Sequence, residues 1–171
     1  MALWIDLWGW WTINFLSKEQ IDEINPLIPQ LTDHVFEPVT KDRLREILNG
    51  SWSAIATVYE DGQLCAMAEL HAFTTTTERK GQIDNVVADK KYRGRKFGEK
   101  LMCALLDRAF VHNGQPLDLV QLTSNPENPE RVPARNLYKK LGFKEKYPGF
   151  FVITRNEWME ASDKLYNINN G

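Results

Sequence analysis

Cysteine is nearly missing from this chain: 171 residues hold only two, Cys65 and Cys103, with no Cys-x-x-Cys or Cys/His spacing. Each sits in an apolar run. They therefore read as buried reduced thiols rather than a disulfide or a metal site, and they point to a cytoplasmic setting. Histidine is equally sparse, and His34, His71 and His112 are too scattered to form a metal motif. No apolar run approaches the length of a membrane-spanning helix. An excess of positive charge is missing too. Lys and Arg number 21 against 23 Asp and Glu, and the net charge of −2 argues against a general nucleic-acid binder. The first eleven residues lack a basic leader and are interrupted by Asp6, so they do not read as a signal peptide.

What is present suits one soluble domain with a well-buried core. The N-terminus is rich in tryptophan, with Trp4, Trp8, Trp10 and Trp11. Residues 1–10 read as an extension of the domain, and two readings stand for it. Either it packs its indoles on the surface or continues the first strand, or it adheres to a second copy or a membrane surface. The domain proper is expected over 11–155, with a short terminal helix and a fraying tail over 156–171.

Trp11 to Leu16 alternates as a first strand would. Ser17, followed by Glu19 and Gln20, marks a helix start, but Pro26 and Pro29 require that helix to be short or broken. Thr40 caps a second helix from Lys41 to Leu48. Ser53 to Tyr59 and Gln63 to Phe73 pair across Glu60-Asp61-Gly62. Gln82 to Ala88 is the next strand, followed by a long helix from Phe97 to Asn113 that Gly114 ends. Leu117 to Leu122 is a strand, a helix ends at Leu141-Gly142, and a last hairpin turns at Pro148-Gly149. The order β-α-α-β-β-β-α-β-α-β-β describes a mixed, mostly antiparallel sheet of six to seven strands with helices on both faces, an α/β (α+β) fold.

Within that order one junction draws the argument. Ile83 to Ala88 is mostly apolar with β-branched residues, Asp89 to Lys96 is a basic turn, and from Phe97 apolar residues recur at helical spacing. Lys90, Lys91, Arg93, Arg95, Lys96 and Lys100 crowd into one place. A strand, a basic glycine-containing turn and a helix start together make a seat for a small phosphate-type anion.

Two motifs here resemble those of the GNAT superfamily of acyl-CoA-dependent N-acyltransferases. One is Arg93-Gly94-Arg95-Lys96-Phe97-Gly98, against the family's Arg/Gln-x-x-Gly-x-Gly/Ala. The other is Ala134-Arg135-Asn136-Leu137-Tyr138-Lys139-Lys140-Leu141-Gly142-Phe143, against Ala-x-x-Leu-Tyr-x-x-x-Gly-Phe. They stand about 40 residues apart with a strand between, and the element order agrees from Trp11 to Thr154. Lys96 departs from the pattern, standing where most members have glycine. An ordinary helical backbone is expected there, with the lysine adding charge. Arg131 departs as well, standing where many members have Asn.

The resemblance implies acetyl-CoA as co-substrate, no metal, and transfer of an acetyl group to the primary amine of a small molecule or protein. It implies that the backbone of Arg93, Gly94, Arg95, Lys96, Phe97 and Gly98 holds the CoA pyrophosphate. Val86, Val87 and Ala88 then pair with the pantetheine arm, and Arg131 lies at the cofactor. Tyr138 is the implied acid for the departing thiolate, and Asp84 is the leading candidate base, with Glu69 and His71 behind it on one face of the preceding strand. Acceptor choice falls to His34–Pro38, where Asp33 and Glu37 suit a cation, and to Lys146–Phe150. The alternative is a non-catalytic acyl-CoA sensor of the same fold.

Overall fold

The tryptophan-rich N-terminus is a strand. In the computed structural model, which describes residues 2–9, 11–31, 37–49, 53–111 and 115–169, β1 is Leu3–Trp8. It runs antiparallel to β2 (Ala54–Glu60), from Leu3 opposite Glu60 to Trp8 opposite Ile55. The first strand thus comes earlier than the alternation of Trp11 to Leu16 suggests. Residues 11–15 form a turn, in which the Thr12 hydroxyl accepts from the Gly9 N–H at 2.9 Å. The spacing of Trp4, Leu7, Trp8 and Trp11 matches a helix on paper. Strand pairing overrides it, because β2 is a fully buried strand and β1 hydrogen-bonds along it.

The remaining strands are β3 (Gln63–Thr74), β4 (Arg79–Ala88), β5 (Leu119–Thr123), β6 (Lys144–Tyr147) and β7 (Phe150–Thr154). They form one seven-stranded sheet in the order β1-β2-β3-β4-β5-β7-β6. The helices are α1 (Lys18–Asp22), α2 (Lys41–Ile47), α3 (Phe97–Phe110), α4 (Val132–Lys140) and α5 (Arg155–Asn169). The expected order of elements and the mixed α/β class hold. No described helix is long and apolar enough to cross a membrane.

The chain divides into two compact units, Met1–Ala72 with Ile83–Leu105, and Phe73–Gln82 with Leu106–Gly171. In the first, Trp8, Ile21, Ile24, Leu27, Leu44, Leu48, Ile55 and Met67 form the heart of one buried cluster. Helix α1 starts as the sequence suggests. The Ser17 hydroxyl accepts from the Gln20 N–H and the Gln20 side chain accepts from the Ser17 N–H, a capping box. Prolines then stop it at Asp22, and only a single 3₁₀ turn, Ile28–Gln30, follows. Thr40 caps α2 by accepting from the Arg43 N–H at 3.2 Å.

In the second unit β7 pairs antiparallel with both β5 and β6. The tight turn between β6 and β7 needs Gly149, with φ +77°, since a Cβ there would lie 2.3 Å from the Ser124 carbonyl oxygen. Helix α5 is longer than the short terminal helix expected and reaches Asn169. Its length follows from anchoring. The Trp158 indole, fully buried, donates to Asp107 Oδ1 at 3.2 Å, and the Tyr166 hydroxyl donates to Asp107 Oδ2 at 2.7 Å. Helix α3 is assigned to Phe110, and its expected end at Asn113-Gly114 lies outside the described residues.

Candidate active site

The β4–α3 junction has the shape its sequence suggests, with one correction. After β4 a single 3₁₀ turn, Lys90–Tyr92, leads into an exposed turn over Arg93 to Lys96. Asp89 opens it, its carboxylate accepting from the Lys91 N–H at 2.8 Å and its own N–H donating to the Cys65 carbonyl at 2.9 Å. Gly94 takes φ +82° and Lys96 takes φ +61°. The expectation of an ordinary helical backbone at Lys96 is therefore wrong. The position is left-handed, which explains why glycine suits it and why a lysine there is strained. Replacing Lys96 with glycine is expected to raise unfolding stability by about 1 kcal/mol, read from denaturant midpoints. A lower midpoint would show that the lysine side chain stabilises the turn by more than its backbone costs.

Helix α3 begins immediately after. Its first backbone bond is the Lys100 N–H to the Lys96 carbonyl at 3.1 Å, so the N–H groups of Phe97 and Gly98 precede it at the positive end of the dipole. Nothing lies within 4 Å of the place a Gly94 Cβ would occupy, so a ligand can approach that backbone closely. These features fit a diphosphate: the first amides of a helix, open space at Gly94 and the exposed cations of Arg93 and Lys96. The Arg95 side chain is committed elsewhere. Its guanidinium pairs with the buried Glu60 carboxylate and lies 5.3 Å from the Tyr92 ring centroid. The Tyr92 hydroxyl in turn donates to Gln63 at 3.0 Å. These contacts tie the turn to the β2–β3 hairpin. They join residues about thirty positions apart, which no local pattern reveals.

A cavity of about 260 Å³ opens within the first unit. Its apolar wall is Ile24, Ile28, Val39, Leu44, Ile47 and Met67, and its polar groups are Glu37, Arg43, Glu69, His71 and Asn85. Glu69 and His71 share a face of β3, as their two-residue spacing requires. Glu69 is 6% exposed, and His71 Nε2 stands 3.2 Å from its Oε2. With Nε2–H donating to the carboxylate, the neutral ring has its lone pair on Nδ1. The hydrogen bond to Glu69 holds the His71 pKa above its ordinary 6.5, against the opposing effect of burial, and the charge of Asp84 adds to the rise.

Asp84 itself is not among the cavity's lining residues; its neighbour Asn85 is. Asn85 has φ +52°, a left-handed break within β4 that strand alternation does not forecast. Of the acceptor-loop residues, Glu37 lines the cavity, while Asp33 and His34 lie outside the described residues. The sequence gives no sign of Arg43 or Asn85 as lining residues, whereas Ile24 and Ile28 share an apolar face by helical spacing and Arg43 and Ile47 stand one turn apart on α2.

Tyr138, on α4 in the second unit, is 5% exposed and packs edge-on to Phe151 with centroids 5.6 Å apart. Burial pushes its phenol pKa up, with Arg131 pulling the other way. It is thus protonated at neutral pH. Val87 is buried, while Val86 and Ala88 are partly exposed. Among the described residues no group of three or more His, Cys, Asp or Glu is placed to hold a metal ion.

A seven-stranded sheet whose fourth strand feeds a basic left-handed turn and a long helix defines an acyltransferase-type architecture. The sequence profile of the acetyltransferase (GNAT) family matches residues 17–143, and the chain belongs to that family. No curated protein matches the sequence. Among solved structures, the chain is similar to glucosamine-6-phosphate N-acetyltransferase from Arabidopsis thaliana, with TM-score 0.63 and 21% identity, covering 86% of this chain and 95% of that one. A GNAT-family acetyltransferase from Staphylococcus aureus has TM-score 0.65 and 14% identity, covering 88% and 99%. Spermidine/spermine N-acetyltransferase from Vibrio cholerae, solved in mutant forms, has TM-score 0.61 and 16% identity, covering 94% and 98%. At these identities the likeness is one of fold.

Proposed function

We propose that this acetyltransferase moves the acetyl group of acetyl-CoA to a primary amine by direct attack of the amine on the thioester. The observation that carries the reading is the open, left-handed basic turn at the start of α3, whose form suits the CoA diphosphate. Family members generally use acetyl-CoA as co-substrate. In this reading the backbone from Arg93 to Gly98 holds the diphosphate, and the side chains of Arg93 and Lys96 add charge. Main-chain groups of Val86 to Ala88 pair with the pantetheine arm. Acetyl-CoA supplies an activated acyl group whose carbonyl carbon is the electrophile.

An amine reaches neutral pH as an ammonium and must lose a proton before it can attack. The Glu69–His71 pair suits that task better than Asp84, because it faces a cavity and has a free lone pair on a ring nitrogen of raised basicity. His71 takes the ammonium's proton and passes it to solvent; the neutral nitrogen then bonds to the carbonyl carbon, its surplus proton goes to the freed His71 lone pair, and the carbon–sulfur bond breaks. Tyr138 protonates the departing thiolate and is itself reprotonated from solvent. A phenol of raised pKa still does this at modest cost, since free thiols titrate near ~8.5.

Acetyl-CoA is expected to raise the melting temperature, and a panel of amines is expected to release free CoA thiol in its presence. A thermal shift without thiol release would favour a binding module over an enzyme. No shift at all would sink the cofactor assignment. Tyr138→Phe is expected to lower kcat by roughly 10²-fold while leaving the acetyl-CoA thermal shift in place; unchanged turnover would remove Tyr138 as the acid. The named acceptors of two fold relatives, an amino sugar phosphate and a polyamine, differ from each other. The acceptor of this chain has to be argued from its own cavity.

A further inference from the structure

We propose that the acceptor is a small aliphatic amine that also carries an anionic group, an amino carboxylate in the first instance, with Arg43 holding the anion. The inference rests on the acetyl-transfer reading and adds the class of its acceptor. Three features of the cavity in the first unit carry it. The first is the wall of Ile24, Ile28, Val39, Leu44, Ile47 and Met67, which offers hydrocarbon contact to an aliphatic body.

The second is the placement of charge. The acidic groups Glu37 and Glu69 with His71 suit an ammonium, and Arg43 adds a guanidinium to the same lining. Among the described residues the Arg43 guanidinium has no carboxylate partner, and neither does Glu37 have a cation. Arg43 gives its backbone N–H to the cap of α2, while its exposed side chain lines the cavity. A cation at this place repels the second ammonium of a diamine or polyamine, so it selects against the acceptor class that the carboxylates alone would favour. The third is size. At about 260 Å³ the cavity lies just under the ~300–1,000 Å³ typical of ligand pockets, which suits a metabolite of a few carbons more than a large polycation.

The test uses acceptors of one body and different ends: 6-aminohexanoate, hexylamine and 1,6-diaminohexane, and leucine beside isopentylamine. In the wild-type chain with acetyl-CoA, the carboxylated member of each set is expected to have the highest kcat/KM, exceeding the diamine by roughly tenfold or more. Arg43→Ala is expected to collapse that ratio toward one, and Arg43→Glu to invert it toward 1,6-diaminohexane. Arg43 is exposed on α2, so a melting curve of each variant separates lost folding from lost selectivity. A wild-type preference for the diamine, or a carboxylate preference that survives in Arg43→Ala, overturns the proposal. Should no amine release CoA thiol, the acetyl-transfer reading fails, and calorimetric binding of 6-aminohexanoate and 1,6-diaminohexane then decides the subsite alone. Tighter binding of 6-aminohexanoate that Arg43→Ala abolishes supports the anion site. Equal or absent binding of the two overturns it.

Discussion

His71→Asn is expected to lower kcat/KM for every accepted amine by about 10²–10⁴-fold, the range general-base catalysis contributes. The wild-type profile should show an acidic limb above the ordinary histidine value of 6.5, because the base works only when deprotonated and its pKa is raised. The groups responsible are Glu69, at 3.2 Å from Nε2, and more distantly Asp84; Glu37 and Arg43 line the same cavity. Glu69→Gln removes the carboxylate but keeps the shape. It should move the limb down toward 6.5 and reduce the rate, since the amide neither fixes the tautomer as firmly nor stabilises the imidazolium. The stability consequence has a definite sign. A histidine whose folded pKa is raised stabilises the fold fully below its unfolded value near 6.5, and that contribution is lost as pH rises through the higher folded value. The stability difference between wild type and Glu69→Gln should therefore be larger at pH 5.5 than at pH 8.5. A His71→Asn protein with full activity and an unmoved acidic limb would eliminate the pair as the base and return attention to Asp84.

A candidate site of this kind is legible in a sequence only in part. The Arg93–Gly98 turn is legible because its form depends on residues within six positions of one another and on backbone geometry that glycine spacing records. Even so, Lys96 hid its left-handed φ, because a lysine in a sequence does not announce strain that its neighbours impose. Glu69 and His71 are legible as a pair, since a strand places alternate residues together. Their cavity is not legible. Ile24, Arg43, Met67 and Asn85 come from a helical turn, a helix and two strands, and only folding brings them to one wall. The break at Asn85 also defeats simple alternation along β4. The capped starts of α1 and α2 and the two glycine-turned hairpins are legible because their signals are local and chemical. The first strand comes earlier than the alternation of Trp11 to Leu16 suggests, because residues 3–8 fit a helical spacing as well as an extended one. The choice between them is made by a partner strand fifty residues away.

That choice has an energetic consequence at Trp8. Trp8→Ala is expected to cost about 3–5 kcal/mol of unfolding stability, the usual penalty for emptying a large aromatic site. Trp8 is fully buried and belongs to the same cluster as Ile24, Leu44 and Met67, and those three also line the cavity proposed for the acceptor. Against a total near 5–15 kcal/mol for an ordinary domain, that loss is a large share. It should reach the site before it unfolds the chain, by loosening the wall on which the acceptor's hydrocarbon rests, so KM for the amine should rise in the folded fraction. Trp4 is the control. It is 43% exposed and stacks on Tyr59 with centroids 5.3 Å apart, so Trp4→Ala should cost no more than about 1–2 kcal/mol. Urea midpoints of the two variants test the difference. Near-equal midpoints would mean that β1 is a surface strip whose removal the first unit tolerates. A much lower midpoint for Trp8→Ala alone would show that the N-terminal segment is part of the core on which the acceptor cavity is built.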